Sequence, residues 1–462
     1  MSGPPRVAAA ACAPVPPRPP GGLFGIGALL RFTRNPLEFI TSMSQAGGDI
    51  VHYRLALRDV FLLGHPDLIR DVLVTRQHDF AKGEGLKWAR RFLGDGLLTS
   101  EGDFHTRQRR LAQPAFHRQR IGSYGEAMVA HAARARERWR DGEDLWLDRE
   151  MVRLTVGIAG ETLFAADTEA QAAEIGGALT DIIRLFPRFA LPFGGLLNLL
   201  PLASNRRYER GRRRLDAIVY GLIGERRRDG KDQGDLLSML MLARDEETGA
   251  GMSDRQLRDE VMTLLLAGHE TTANALCWTW HLLAQNPGAE ARLHREVDEL
   301  LGARLPTVDD LPGLRYTEMV LAESMRLFPP AWGLGRRALR DLDLGGVSIP
   351  ADALVLSSPY LVQRDPRWFP DPLRFDPERF APEAKAARPK FSYFPFGGGA
   401  RGCIGEPFAW MESVLVLATV AQHWRFRPVP GHVVEPQALI TLRPRFGLRM
   451  TAVRRSDPAR PS

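Results

Sequence analysis

A chain of 462 residues with a net charge of +7, 44% hydrophobic and 25% charged residues has globular composition, which excludes disorder over most of its length. It is long enough for about three average domains or for one large fold with two lobes. Its three cysteines, Cys12, Cys277 and Cys403, form no C-x-x-C pair, which excludes a disulfide framework and fits a reducing cytoplasm.

The first twenty residues hold seven prolines and two arginines. A membrane span needs about 20 consecutive apolar residues, and a secretory signal needs an apolar stretch that proline does not interrupt. Residues 1–21 therefore read as a flexible Pro-rich leader without a stable membrane anchor. Residues 22–453 read as a single domain and 454–462 as a flexible tail. From 22 to 118, short apolar runs such as 60–64 (VFLLG) and 72–74 mix with helical patterns, which predicts a small sheet packed among helices. Within it, HTRQRRLAQPAF (105–116) puts His105 and Arg109 on one helical face. A basic face of this kind is ordinarily solvated.

From 124 to about 301 apolar residues recur at threes and fours, predicting helices. Polar breaks at 227–234 and 245–253 predict surface loops. Arginines cluster at 206–214 and 226–228 without interleaved aromatics, which reads as a solvated helix face and argues against nucleic-acid binding. The run 182–202, IIRLFPRFALPFGGLLNLLPL, is apolar enough for a pocket roof or for ordinary core. In LLLAGHETTANAL (264–276) an oily helix is interrupted by acid and alcohol. Ala273 at the fifth position rules out an H-E-x-x-H zinc helix. Thr271 can bond back to the carbonyl of Ala267, which opens a helix locally and leaves room for a bound molecule. Glu270 and Thr271 in such surroundings invite proton transfer.

In TEMVLAESMRLFPP (317–330) Glu323 and Arg326 share a face of a helix with little other polar surface. That predicts a buried pair needing a third partner. Beyond 339, Gly, Pro and Asp punctuate short strands at 345–350 and 353–357. The fold class is therefore mainly α (α+β), with sheet material near both ends of the chain.

The stretch FSYFPFGGGARGCIGEPFAW (391–410) offers three chemistries. Gly397, Gly399 and Gly402 match the G-x-G-x-x-G phosphate spacing, but LVLATVAQ (415–422) lacks the ribose-binding acid, and prolines after Trp424 argue against a second central parallel strand. No Cys-His signature marks a nucleophile, and one cysteine cannot build a zinc site. What remains is a single thiolate on a glycine-rich bulge leading into an apolar helix. It suits a prosthetic group that brings its other metal ligands, as haem does with its four pyrrole nitrogens. Glycines let the backbone approach a flat macrocycle. Backbone N–H groups at the helix start would favour a thiolate, Phe396 would pack near the sulfur, and Arg401 could pair with a propionate.

FGGGARGCIG resembles the haem-binding loop of the cytochrome P-450 superfamily, F-G-x-G-x-R-x-C-x-G, through Phe396, Gly397, Gly399, Arg401, Cys403 and Gly405. The resemblance runs from about 22 to 449 with every motif in the family's order. It implies a large helical lobe and a small β-rich lobe with haem b between them, and Cys403 as the axial iron ligand. It also implies that Thr271 stabilises the activated oxygen and that Glu270 delivers protons for O–O scission. Glu323 and Arg326 resemble the family's E-x-x-R pair, completed by Arg379 of P-E-R-F. His105 and Arg109 resemble a bacterial H-x-x-x-R propionate pair. Arg336 resembles another propionate ligand, a role its neighbour Arg337 could also take, and Gln363 stands where many relatives have histidine. The implied activity is a monooxygenase that hydroxylates or epoxidises an apolar small molecule of fatty acid, terpenoid, steroid or polyketide type. Residues 82–100 and 331–334 are expected at the pocket by the same likeness. Electrons are expected from a separate ferredoxin or flavodoxin with its reductase, and the protein is expected to be a cytoplasmic monomer. The alternatives are a haem-thiolate peroxygenase, isomerase or dehydratase, and a non-catalytic haem sensor or carrier.

Overall fold

The computed structural model describes residues 25–45, 47–164, 172–183, 185, 202–245 and 249–455. The Pro-rich leader, most of the apolar run 182–202 and the last seven residues of the tail lie outside them. The described fold continues slightly past the expected boundary at 453. Arg454 closes a strand, and Arg455 donates to Asp298 at 2.6 Å and to the Ala421 carbonyl at 2.6 Å.

One long helix, Asp254–Gln285, organises the helical lobe. Ser253 starts it with a capping box: its hydroxyl accepts from the Gln256 N–H while the Gln256 side chain takes the Ser253 N–H at 2.8 Å, so two otherwise unpaired backbone donors are satisfied. Helices Leu147–Phe164, Ala203–Asp229, Arg315–Leu327 and Glu406–Ala421 pack around it. That explains why most of its apolar residues, Trp278 and Trp280 included, are buried. The Ala203–Asp229 helix runs into the stretch expected to be a loop and stops at Gly230, whose φ of 65° provides the left-handed cap. Its arginines are not all solvated. Arg226 is buried and donates to Asp235 at 2.7 Å and to the Phe164 carbonyl at 3.1 Å.

Strands from both ends of the chain form one five-stranded sheet, in the order Ile50–Leu55, Arg58–Leu63, Leu354–Ser357, Leu334–Ala338, Phe80–Lys82. The two chain segments meet twice, at the parallel pair Arg58–Leu63 with Leu354–Ser357 and at the antiparallel pair Phe80–Lys82 with Leu334–Ala338. A second sheet joins Asp144–Trp146, Arg449–Arg454 and Trp424–Pro428. The proline-bearing strand lies at its edge, where a missing N–H does no harm. The run 72–74 is not a strand: it belongs to a π-helical turn, Asp71–Thr75. Pro66 at the first position of the preceding helix and the His65 cap commit this segment to helical geometry, and tertiary contact overrides β-propensity.

The expected buried pair is present. Arg326 Nε and Nη2 donate to the two Glu323 oxygens at 2.6 and 2.8 Å, and both side chains are fully buried. The remaining donors of Arg326 go to the carbonyls of Gln363 (2.8 Å), Pro372 (2.7 Å) and Arg374 (3.1 Å). Glu323 also accepts the Asp376 N–H at 2.8 Å. Arg379 approaches Glu323 at 3.5 Å, an ionic contact beyond hydrogen-bond range, and donates to the Asp371 carbonyl at 2.9 Å. Replacing Glu323 by alanine leaves Arg326 buried without its carboxylate. The expected loss is about 3–5 kcal/mol, read as insoluble or haem-free protein on expression; normal haem loading of Glu323→Ala would overturn this account.

Candidate functional site

The cysteine loop is built by glycine and by its dock. Gly397 and Gly399 have φ of 72° and 67°, a region costly for any other residue. A Cβ on Gly399 would lie 2.0 Å from the Leu73 carbonyl oxygen, so the loop seats directly on the π-helical turn. The Gln77 side chain accepts the Ala400 N–H at 2.8 Å, and the Phe396 carbonyl accepts the Cys403 N–H at 3.0 Å. The Phe396 ring packs against Trp410, with centroids 5.8 Å apart. Helix Glu406–Ala421 follows at once. Cys403 is solvent-accessible, yet the protein around it pushes its thiol up to about 11. Burial is the main cause and the Glu406 charge adds to it; N–H groups of Gly405 and Glu406 and the Arg109 charge work against them. The helix start favours a thiolate as expected but does not outweigh burial, and a metal cation is what would complete it.

Beside this loop several cations converge. His105 and Arg109 lie on helix Gly102–Ala112, and Arg109 donates to the Gly402 carbonyl at 2.8 Å. Arg401 donates to the Ser100 carbonyl at 2.9 Å and pairs with Glu101 at 2.6 Å. Arg336 is half-buried on strand Leu334–Ala338, whereas Arg337 turns outward to Asp352 at 2.5 Å. Burial, followed by the charges of Arg401, Lys82 and Arg109, pushes His105 down to about 3. Gln363 faces elsewhere: its amide donates to the carbonyls of Met325 (3.0 Å) and Arg326 (3.1 Å) and accepts the Phe394 N–H at 3.1 Å.

Two residues here carry no motif. Lys82 is buried and its ammonium donates to the carbonyls of Leu97 (3.1 Å), Leu98 and Ser100 (3.3 Å). Glu260, also buried, accepts the Leu97 N–H at 2.9 Å. Together they pin segment 97–100 from both sides. Their partners are backbone groups, which leave no side-chain pattern to read; only the seven-residue spacing of Glu260 from Ala267, on one helical face, hints at it.

Opposite, the long helix shows one break in its burial. Ala267 is exposed, and Gly268 and Thr271 are half-buried, amid buried neighbours. Ala267 and Thr271 lie one turn apart, and the Thr271 hydroxyl donates to the Ala267 carbonyl at 2.7 Å, as expected. Glu270 does not share that face. Its Oε1 accepts from the Thr441 hydroxyl at 2.9 Å and the Asn274 amide at 3.4 Å, with Arg443 at 3.9 Å. The consecutive residues 331–337 are all half-buried.

These residues fit haem. One soft donor stands at an accessible position, close backbone approach is secured by glycine, and cations outnumber the carboxylate beside them, which suits two propionates. Among the described residues no group of His, Cys, Asp and Glu could hold a metal without such a group, and no helix is long and apolar enough to cross a membrane.

The Cytochrome P450 family model matches residues 15–446. Cyclooctatin synthase of Streptomyces melanosporofaciens is 44% identical over 92% of each chain. Cyclooctat-9-en-7-ol 5-monooxygenase of the same organism is 40% identical over 89% of this chain and 90% of its own. Pentalenene oxygenase of Streptomyces avermitilis is 38% identical over 94% and 96%.

The dock of Gly399 on Leu73 makes a backbone-on-backbone contact that no side-chain rotation relieves. Gly399→Ala should lower stability by about 1–3 kcal/mol and reduce haem occupancy, measured by pyridine haemochrome and thermal unfolding. Unchanged occupancy and melting would sink the idea that this contact seats the loop.

Proposed function

We propose, for a chain that belongs to the cytochrome P450 family, that the space between Cys403 and the open face of the long helix oxidises a cyclic terpenoid hydrocarbon or alcohol. The protein is a haem-thiolate monooxygenase with haem b as cofactor, an apolar small molecule as substrate and a redox partner as electron source. The terpenoid class rests on the names of the three relatives above and on the helix face, where Ala267 and Gly268 offer shape and apolar contact rather than polar anchors.

Bound haem supplies reductive dioxygen activation, sending one oxygen atom to the substrate and the other to water. Cys403 gives its thiolate to the iron, and Phe396, Gly397 and Gly405 shape the bed around that sulfur. His105, Arg109, Arg336 and Arg401 would hold the two carboxylates; burial and then the neighbouring charges push His105 down, and the charge part would be relieved by anions sitting among these cations. Thr271 presents its hydroxyl at the open face, with its hydrogen currently on the Ala267 carbonyl. Glu270, one residue earlier, brings protons from the other side of the helix. The electron source is a ferredoxin or flavodoxin with its reductase, and the protein works as a cytoplasmic monomer.

Reduced holoprotein with carbon monoxide should show the strongly red-shifted Soret band of thiolate ligation, and Cys403→Ser should abolish it; a histidine-type spectrum would contradict the assignment. For the substrate, spin-state titrations with cyclic terpenes, fatty acids, steroids and polyketides should give the tightest responses with the terpenes. Tight fatty-acid binding with inert terpenes would replace the substrate class.

A further inference from the structure

The carboxylate of Glu270 is held by a part of the chain with no motif. Thr441 lies between the short strands Pro436–Ala438 and Leu442–Pro444, and its hydroxyl donates to Glu270 Oε1 at 2.9 Å. The Asn274 amide, one turn along the helix, donates to Thr441 Oγ1 at 3.3 Å and to the Glu270 carbonyl at 2.9 Å. The hairpin cannot drift from this position. Trp278 Nε1 donates to the Leu442 carbonyl at 3.0 Å, Leu442 N to the Pro330 carbonyl at 2.9 Å, and Trp332 Nε1 to the Leu439 carbonyl at 2.9 Å.

Thr441 is 6% exposed, and Arg443 at the outer end is the most accessible of the three. The side chain of Glu270 is 9% exposed and that of Arg443, 3.9 Å away, 19%. At that distance the contact is ionic and not a hydrogen bond, so Arg443 acts on the carboxylate through charge while Thr441 and Asn274 hold its Oε1. His269, the neighbouring titratable group, is fully buried, gives Nδ1 to the Leu265 carbonyl and is kept neutral by burial. Cys277 is likewise buried, with its thiol held protonated. Neither leads outward.

We propose that Thr441 and Arg443 are positioning residues for proton delivery by Glu270, Thr441 as the hydroxyl link and Arg443 as the charge that holds the carboxylate at the outer end of the path. A proton from water on the Arg443 side is taken up by Thr441 Oγ1, whose own hydrogen passes to Glu270 Oε1. The hydroxyl is restored and Glu270 becomes a neutral acid. Loss of the negative charge removes the attraction to Arg443, so the carboxyl can turn toward the Thr271 side and release the proton there. The inference rests on the reading of Glu270 as proton donor, and its test separates the two.

The holoenzyme is reconstituted with a surrogate ferredoxin, its reductase and NADPH, with cyclooctat-9-en-7-ol as probe. The quantity measured is hydrogen peroxide released per dioxygen consumed, which reports failed proton delivery whether or not the probe is oxidised. Thr441→Val and Arg443→Gln should each raise that ratio about tenfold, less than the roughly 10²–10⁴-fold a positioned acid itself contributes. Haem content and the carbon monoxide band should stay as in the parent. Thr441→Ser and Arg443→Lys, which keep the hydroxyl and the charge, should return to within about twofold of the parent ratio. In denaturant unfolding of the holoprotein, Glu270→Gln and Thr441→Val should be non-additive, as expected for directly bonded partners. If Glu270→Gln raises the ratio while Thr441→Val and Arg443→Gln do not, this inference fails and the role of Glu270 stands. If Glu270→Gln leaves the ratio unchanged, the proton-donor reading fails and this one with it. Loss of the carbon monoxide band in both hairpin variants would make their role structural and overturn the proposal.

Discussion

Two charges with no water around them, Glu323 and Arg326, decide where the cysteine loop can sit. Removing both ions from water costs several kcal/mol each, and their mutual attraction offsets this only when every other donor and acceptor is also used. Here the other users are backbone groups of the approach to the loop: the carbonyls of Gln363, Pro372 and Arg374 and the N–H of Asp376. An irregular, strand-poor segment is thereby fixed as firmly as a helix. Gln363 extends the fixation, joining the end of the Glu323 helix to the N–H of Phe394 just before the glycines. An apolar pair of equal volume could match the stability, but it would hold none of these backbone groups in place.

The two walls of the site follow opposite rules. On the cysteine side rigidity comes from close backbone contact at Gly399 and from the backbone groups that Arg326, Glu323 and Gln363 hold. On the helix side burial lapses locally at Ala267, Gly268 and Thr271, where the Thr271 hydroxyl bonds back to the Ala267 carbonyl. Between them the cations are under-compensated: Glu101 pairs with Arg401, while burial first, and then the surplus positive charge, keep His105 depressed. Such a surplus weakens the protein alone and is relieved when an anionic group arrives, so folding and cofactor binding draw on the same free energy.

Much of this was legible in the chain because it depends on spacing within one element. Cys403 and its glycines, Thr271 with Ala267, Glu323 with Arg326, and His105 with Arg109 are all fixed by local geometry that a helix or tight bulge imposes. What was not legible depends on contacts between distant segments. The run 72–74 reads as sheet material until its neighbour, the cysteine loop, is known. Arg226 looks like one more solvated arginine until Asp235 and Phe164 close over it. Lys82 and Glu260 act on backbone groups, which every residue has. The acidity of Cys403 depended on a balance of magnitudes: the helix start pulls it down as expected, but burial is the larger effect.

Glu270 and Thr271 are adjacent in sequence and belong to different surroundings. Successive residues of an α-helix point about 100° apart, so the alcohol can face the open side while the acid reaches the hairpin at Thr441 and Arg443. Had they been four residues apart they would share a face, and both would open into the same apolar space, where an ionised carboxylate is costly. Adjacency instead lets the helix act as a partition, with the paired carboxylate on the hairpin side and the open apolar face on the other. The back-bond of Thr271 to Ala267 fixes the alcohol on the open face while the helix stays continuous from Asp254 to Gln285.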